Sequence, residues 1–170
     1  NGIPLDTIIR DMQILIEECE NEPPIIETSV EEICVIAGEL VEINVVATAP
    51  IFETNQRVRL TALGGPFEVP NSPATFLPNN NTFQNDPVTK VFQWQTTCDH
   101  IFDQYYSVVF RAVDNFFGDT TGLATLKTVR IKVVGPPPED VRALAGPGQV
   151  NVSWELPYSC EDASDNYFRG

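Results

Sequence analysis

Apolar and polar residues alternate along most of this chain, and the alternation halts at clusters of Pro, Gly and Asn. A period of two is the signature of half-buried strands, and no long stretch repeats its apolar positions at helical spacing. Glu32–Ile36 reads as one strand, Gly38 as a turn, and Val41, Ile43, Val45 and Ala47 as the buried side of the next, so the two are expected to form a hairpin. Residues 57–63 alternate again up to Gly64, Gly65 and Pro66. Residues 66–87, rich in Pro and Asn, predict a long surface excursion with a short strand at Thr75–Leu77. In residues 91–97 the aromatic pair Phe92 and Trp94 marks the inward face, with Trp94 as core anchor; Tyr106, Val108, Phe110 and Ala112 form a further inward row. A last strand is expected at about 125–134. The sum is an all-β fold, an immunoglobulin-like sandwich of about seven antiparallel strands flanked by partial β domains.

Domain limits come from a repeated punctuation, an alternating strand that runs into a proline cluster. Met12, Ile14 and Ile16 precede Pro23 and Pro24, and Val129, Ile131 and Val133 precede Pro136, Pro137 and Pro138. The spacing matches one sandwich domain with its linker, since prolines stiffen an extended join and cannot continue a ladder. Residues 1–22 are thus expected to be the last strand of a preceding domain with its linker, 23–135 one whole domain, and 136–170 the start of another. Asn1 reads as the start of an excised piece.

Charge then narrows the partners. With 10 Lys and Arg against 24 Asp and Glu the net charge is -14, which repels nucleic acid and anionic membranes alike. No apolar run is long enough to insert in a membrane. The four cysteines, Cys19, Cys34, Cys98 and Cys160, contain no CxxC pair, which argues against zinc and permits one or two disulfides, placing the protein outside the cytoplasm.

An ordered set of segments carries a family resemblance: CVIAG at 34–38, LTALGGPF at 60–67, SPATF at 72–76, FQWQTTC at 92–98 and VFRAVD at 109–114. Together they resemble the Ig-like repeats of large Bacteroidetes surface proteins, the gliding-motility-associated group secreted by the type IX system. Residues 136–157 resemble the opening of a fibronectin type III domain: Val141, Ala143 and Leu144 precede Gly146, and Val150, Val152 and Trp154 then alternate. The resemblance implies a noncatalytic extracellular spacer or adhesive module, linked to gliding motility or adhesion, whose partners are neighbouring domains and a surface glycan or protein. The alternative is an accessory carbohydrate-binding module of a secreted glycan-active enzyme. Unpaired flanking strands also make a strand-exchanged homo-oligomer an expectation.

Special chemistry is sparse. Alternating antiparallel strands put Cys34 and Cys98 at one pole, so a Cys34–Cys98 disulfide is expected, with Cys98–Cys160 as the rival pairing; Cys19 and Cys160 fall at opposite poles, too far apart to bridge. The linker containing Glu20 and Glu22 is similar to a cadherin calcium joint, and Asp114 follows Ala112 and Val113 as in the cadherin motif that donates an aspartate. The residue types differ and the second linker lacks carboxylates, so a solvated acidic linker is the favoured reading and Glu20, Glu22 and Asp114 are weak calcium candidates. No other cofactor is expected. His100, the single histidine, sits beside Cys98 and Asp99 in an expected exposed turn with no orienting third group, so no catalytic residue is assigned. Phe116 and Phe117, with Tyr105 expected nearby, are the candidates for stacking on a ligand; packing over the sandwich end is the competing and favoured role.

Overall fold

The structure, a computed structural model, describes residues 11–12, 21–50, 56–116, 122–155 and 160. Two facing sheets are built from β1 (Ile25–Thr28), β2 (Glu32–Ile36), β3 (Leu40–Thr48), β4 (Arg57–Gly64), β5 (Thr75–Leu77), β6 (Gln84–Asn85), β7 (Val88–Gln95), β8 (Tyr106–Asp114) and β9 (Ala124–Val134). One sheet has the order β1-β3-β7-β5 and the other β2-β9-β8-β4-β6. A separate two-stranded hairpin follows, β10 (Glu139–Gly146) with β11 (Gln149–Glu155). The sandwich is immunoglobulin-like and all-β, as the alternation requires. The expected strand at 12–16 lies mostly outside the described residues.

The core is the sum of the inward rows. Val41 pairs with Trp94 and Ile43 with Phe92 across β3 and β7, while Val108 pairs with Val129 across β8 and β9. Trp94, Phe92, Phe110, Ile43 and Leu60 are fully buried. Phe92 of one sheet meets Phe110 of the other edge to face at 6.2 Å, and Phe67 caps Phe92 at 5.6 Å. Burial of each such ring contributes about 2–3 kcal/mol, so this aromatic stack joins the buried valines, isoleucines and Leu60 in holding the sheets together. The indole N–H of Trp94 donates to the Ser72 carbonyl at 3.0 Å, which ties the Pro-rich excursion to the core.

The expected hairpin of β2 with β3 does not form. The first edge of the domain is split instead: β1 pairs antiparallel with β3, and the chain then crosses so that β2 pairs parallel with β9, Glu32 to Arg130 through Ile36 to Val134. The turn after β2 is held by its far neighbour, because the Gly38 N–H donates to Thr96 Oγ1 at 3.1 Å and Thr96 Oγ1 donates to the Glu39 carbonyl at 2.7 Å. Gly38 has φ +98°, a conformation that side chains disfavour. Sequence alternation cannot distinguish a hairpin from a strand that changes sheets, since both show the same period.

Candidate functional site at the two poles of the sandwich

The exit pole is built where β7 ends and β9 leaves. Residues Cys98–His100 form a single 3-10 turn behind β7, with Thr97 at its N-terminus. His100 folds back so that its Nδ1 accepts from the Thr97 N–H at 3.0 Å, while Nε2 lies 2.8 Å from the Asn71 carbonyl. These roles require the neutral tautomer with the proton on Nε2. The ring is 2% exposed and lies on Trp94. The turn was expected to expose His100; it buries it, because the imidazole satisfies two backbone groups that would otherwise be orphaned.

The same turn presents Cys98, and its disulfide partner is Cys160, with Cα atoms 5.5 Å apart. This corrects the expected Cys34–Cys98 pairing. The pole was read correctly, as Gly38 behind β2 touches Thr96 just before Cys98. The face was not. On β2 the buried residue is Val35, so Cys34 points outward, exposed, beside Lys132 of β9, and its thiol is free. Cys160 is buried against the sandwich core, so the chain beyond the hairpin returns to the pole it left. Cys19 lies outside the described residues.

At the entry pole Asp114 closes β8. It is wholly buried; Oδ2 accepts from Asn21 Nδ2 at 3.0 Å, and Oδ1 accepts from the backbone N–H groups of Phe116 and Leu123 at 3.1 and 3.2 Å. Gln56 in turn donates to Asn21 Oδ1 at 3.1 Å. Asp114 therefore ties the entry linker to the β8–β9 connection, and its lone pairs are directed at N–H groups. Glu22 is exposed and Glu20 lies outside the described residues; among the described residues no three His, Cys, Asp or Glu side chains gather as a metal site.

Of the stacking candidates, Phe116 and Tyr105 do not come together. Phe116 is half exposed at the end of β8, Phe117 lies outside the described residues, and Tyr105 precedes the opposite end of that nine-residue strand, roughly 30 Å away at ~3.3 Å per residue. Tyr105 is engaged locally: its hydroxyl donates to Glu32 Oε1 at 3.1 Å, and Arg130 and Lys132 stand 5.3 and 5.9 Å from the ring centre. The hydrogen bond to Glu32, with the negative charge of that carboxylate, raises the Tyr105 pKa.

No family model matches the chain, and no curated protein does. Among solved structures it is similar to the BIgI domain of the beta protein from S. agalactiae bound to CEACAM1, at 17% identity and TM-score 0.43, covering 67% of this chain and 99% of that one. It is also similar to the sialic acid binding region of a Streptococcus sanguinis adhesin, at 18% identity and TM-score 0.45, covering 71% and 33%. A third is a lipoprotein from Bacteroides thetaiotaomicron, at 15% identity and TM-score 0.44, covering 69% and 85%. At such identities and TM-scores these likenesses carry no argument about this chain.

Proposed function

We propose that this chain is a noncatalytic spacer module of a multidomain protein on the cell surface, one whose joint to the next module is locked. The Cys98–Cys160 bond carries the reading, because it fastens the segment beyond the hairpin to the exit pole of the sandwich. The proline linker at 136–138 by itself sets direction but not orientation. A disulfide that joins two parts of one chain also suits an oxidising, extracellular setting. His100, the residue most suited to chemistry, has both nitrogens engaged by backbone groups, which supports a structural role.

The hairpin supports a following domain. Val150, Val152 and Trp154 of β11 alternate along one face, with Ala143 and Ala145 of β10 opposite the two valines, and the three larger side chains are 53–62% exposed. Such a face belongs to a sheet that further strands cover. On this reading residues 136–170 open a fibronectin type III-like domain, and the sequence resemblance supports a parent among surface proteins of the Bacteroidetes gliding and adhesion group.

Limited proteolysis tests the locked joint. Cys160→Ser should accelerate cleavage within residues 135–148 several-fold, whereas Cys34→Ser should leave the rate unchanged. Equal rates for the wild type and Cys160→Ser would sink the proposal.

A further inference from the structure

The inward row of β7 contains a charge. Val88, Lys90, Phe92 and Trp94 all face the core, and Lys90 is only 2% exposed. A buried ammonium needs acceptors for three N–H groups and a counter-charge. Lys90 Nζ donates to the Asn80 carbonyl at 2.5 Å and stands 5.3 Å from the centre of the Phe76 ring. Among the described residues no carboxylate pairs with it, and desolvation pushes its pKa below the ordinary value.

The side chain reaches a cleft of about 390 Å³ between the free edges of the two sheets. The cleft exists because β6 covers only Arg57 and Val58 of β4, which leaves Thr61 and Ala62 at an open edge opposite β5. Its volume falls within the ~300–1,000 Å³ usual for small-molecule sites. Phe67 and Phe76 supply aromatic walls, Asn79 and Asn81 exposed amides, Thr61 a hydroxyl, and Lys90 the cation. Amides, hydroxyls and ring faces together match a polyhydroxylated ring, which stacks by its C–H face and bonds by its rim. The uncompensated ammonium adds selection for a carboxylate.

We propose that this cleft binds a carboxylated sugar of the hexuronic acid class, its carboxylate paired with Lys90 and its hydroxyls held by Asn79 and Asn81. The site stands apart from the spacer reading, which concerns the exit pole and survives if the cleft proves empty of function. The negative field of the whole chain opposes anions at long range, but at physiological salt it decays over ~8 Å, within which Lys90 dominates.

The full chain, isotopically labelled, should be titrated by NMR with methyl glucuronoside, with neutral methyl glucoside and with acetate. The uronoside is expected to give saturable shifts centred on residues 75–81 and Lys90 with a Kd of about 1 mM or below, the glucoside and acetate each binding at least ~tenfold more weakly. Asn79→Ala and Asn81→Ala, both at exposed positions, should weaken uronoside binding severalfold without altering the rest of the spectrum. Lys90→Met should abolish it and Lys90→Arg should retain part of it. Acetate binding as well as the uronoside, no saturable shift in these residues, or full binding by a folded Lys90→Met variant would each overturn the proposal.

Discussion

The imidazole of His100 lies against the indole of Trp94, ring centres 4.9 Å apart, with both rings shut away from water. The single histidine of the chain thus acts as a wedge at the exit pole, bonded on one side to the turn behind β7 and on the other to the Pro-rich excursion at Asn71.

Removing that wedge should be costly. His100→Ala leaves the Thr97 N–H and the Asn71 carbonyl without their partner and opens a void over Trp94, an expected loss of about 2–4 kcal/mol in urea unfolding. Trp94 emission should shift to the red against the constant contribution of the exposed Trp154. Unchanged stability and emission would show that the ring does not pack this way.

Peptide mapping should separate the cysteines. In the unreduced native protein Cys34 is expected to alkylate, while Cys98 and Cys160 emerge as one cross-linked peptide. The bond spans 62 residues of sequence, for which chain entropy gives roughly 4 kcal/mol, so Cys98→Ser should lower stability markedly and Cys34→Ser hardly at all. A Cys34–Cys98 peptide would refute the assignment.

Two glycines should differ in kind. A Cβ at Gly64 would sit 2.1 Å from the Ser107 carbonyl oxygen, and φ there is +141°; at Gly38 a Cβ meets nothing, and only the positive φ of +98° opposes it. Gly38→Ala is expected to cost about 1–2 kcal/mol and Gly64→Ala clearly more, since β4 and β8 must move apart to admit it. The ranking can be read from thermal melts.

Much of this architecture was legible, and the failures share a cause. The rows Phe92–Trp94 and Tyr106–Ala112 announced their inward faces because a period of two leaves large side chains no other place. The same period was silent about which strand pairs with which, so β2 was read as the partner of β3 and Cys34 as the partner of Cys98. His100 was read as exposed because a turn's polarity suggests solvent, while its actual partners, Asn71 and Thr97, are main-chain groups that no residue type reveals. Lys90 carried the clearest missed signal: extending the row from Trp94 back through Phe92 lands on it, and a cation in core register is the kind of local inconsistency that marks a special site.

Alkaline pH should expose the strain on Lys90. Its folded-state pKa lies below the ordinary 10.5 because burial penalises the charged form. Between the folded value and 10.5 the unfolded chain binds more protons, so stability attributable to this residue rises with pH in that window and is lowest below it. Tyr105, whose pKa is raised, works in the opposite sense above pH 10 and is common to both proteins. The melting temperature of the wild type relative to Lys90→Met should therefore climb as pH approaches 10.5; a flat difference would mean that Lys90 is fully solvated.

The parallel pairing of β2 with β9 has a mechanical consequence. β2 starts at the entry side and β9 ends at the exit side. While the Cys98–Cys160 bond is intact, load from beyond Cys160 passes to Cys98 and bypasses β9. Once the bond is reduced, tension along the chain drags the two strands in opposite directions along their own axes. The ladder from Glu32 and Arg130 to Ile36 and Val134 is then loaded all at once in shear, and its bonds must fail together, where a hairpin pulled at its open end would yield one pair at a time. With that bond open, a module whose edge strand β2 lies parallel to its last sandwich strand β9 resists stretching by its topology, before any side chain is considered.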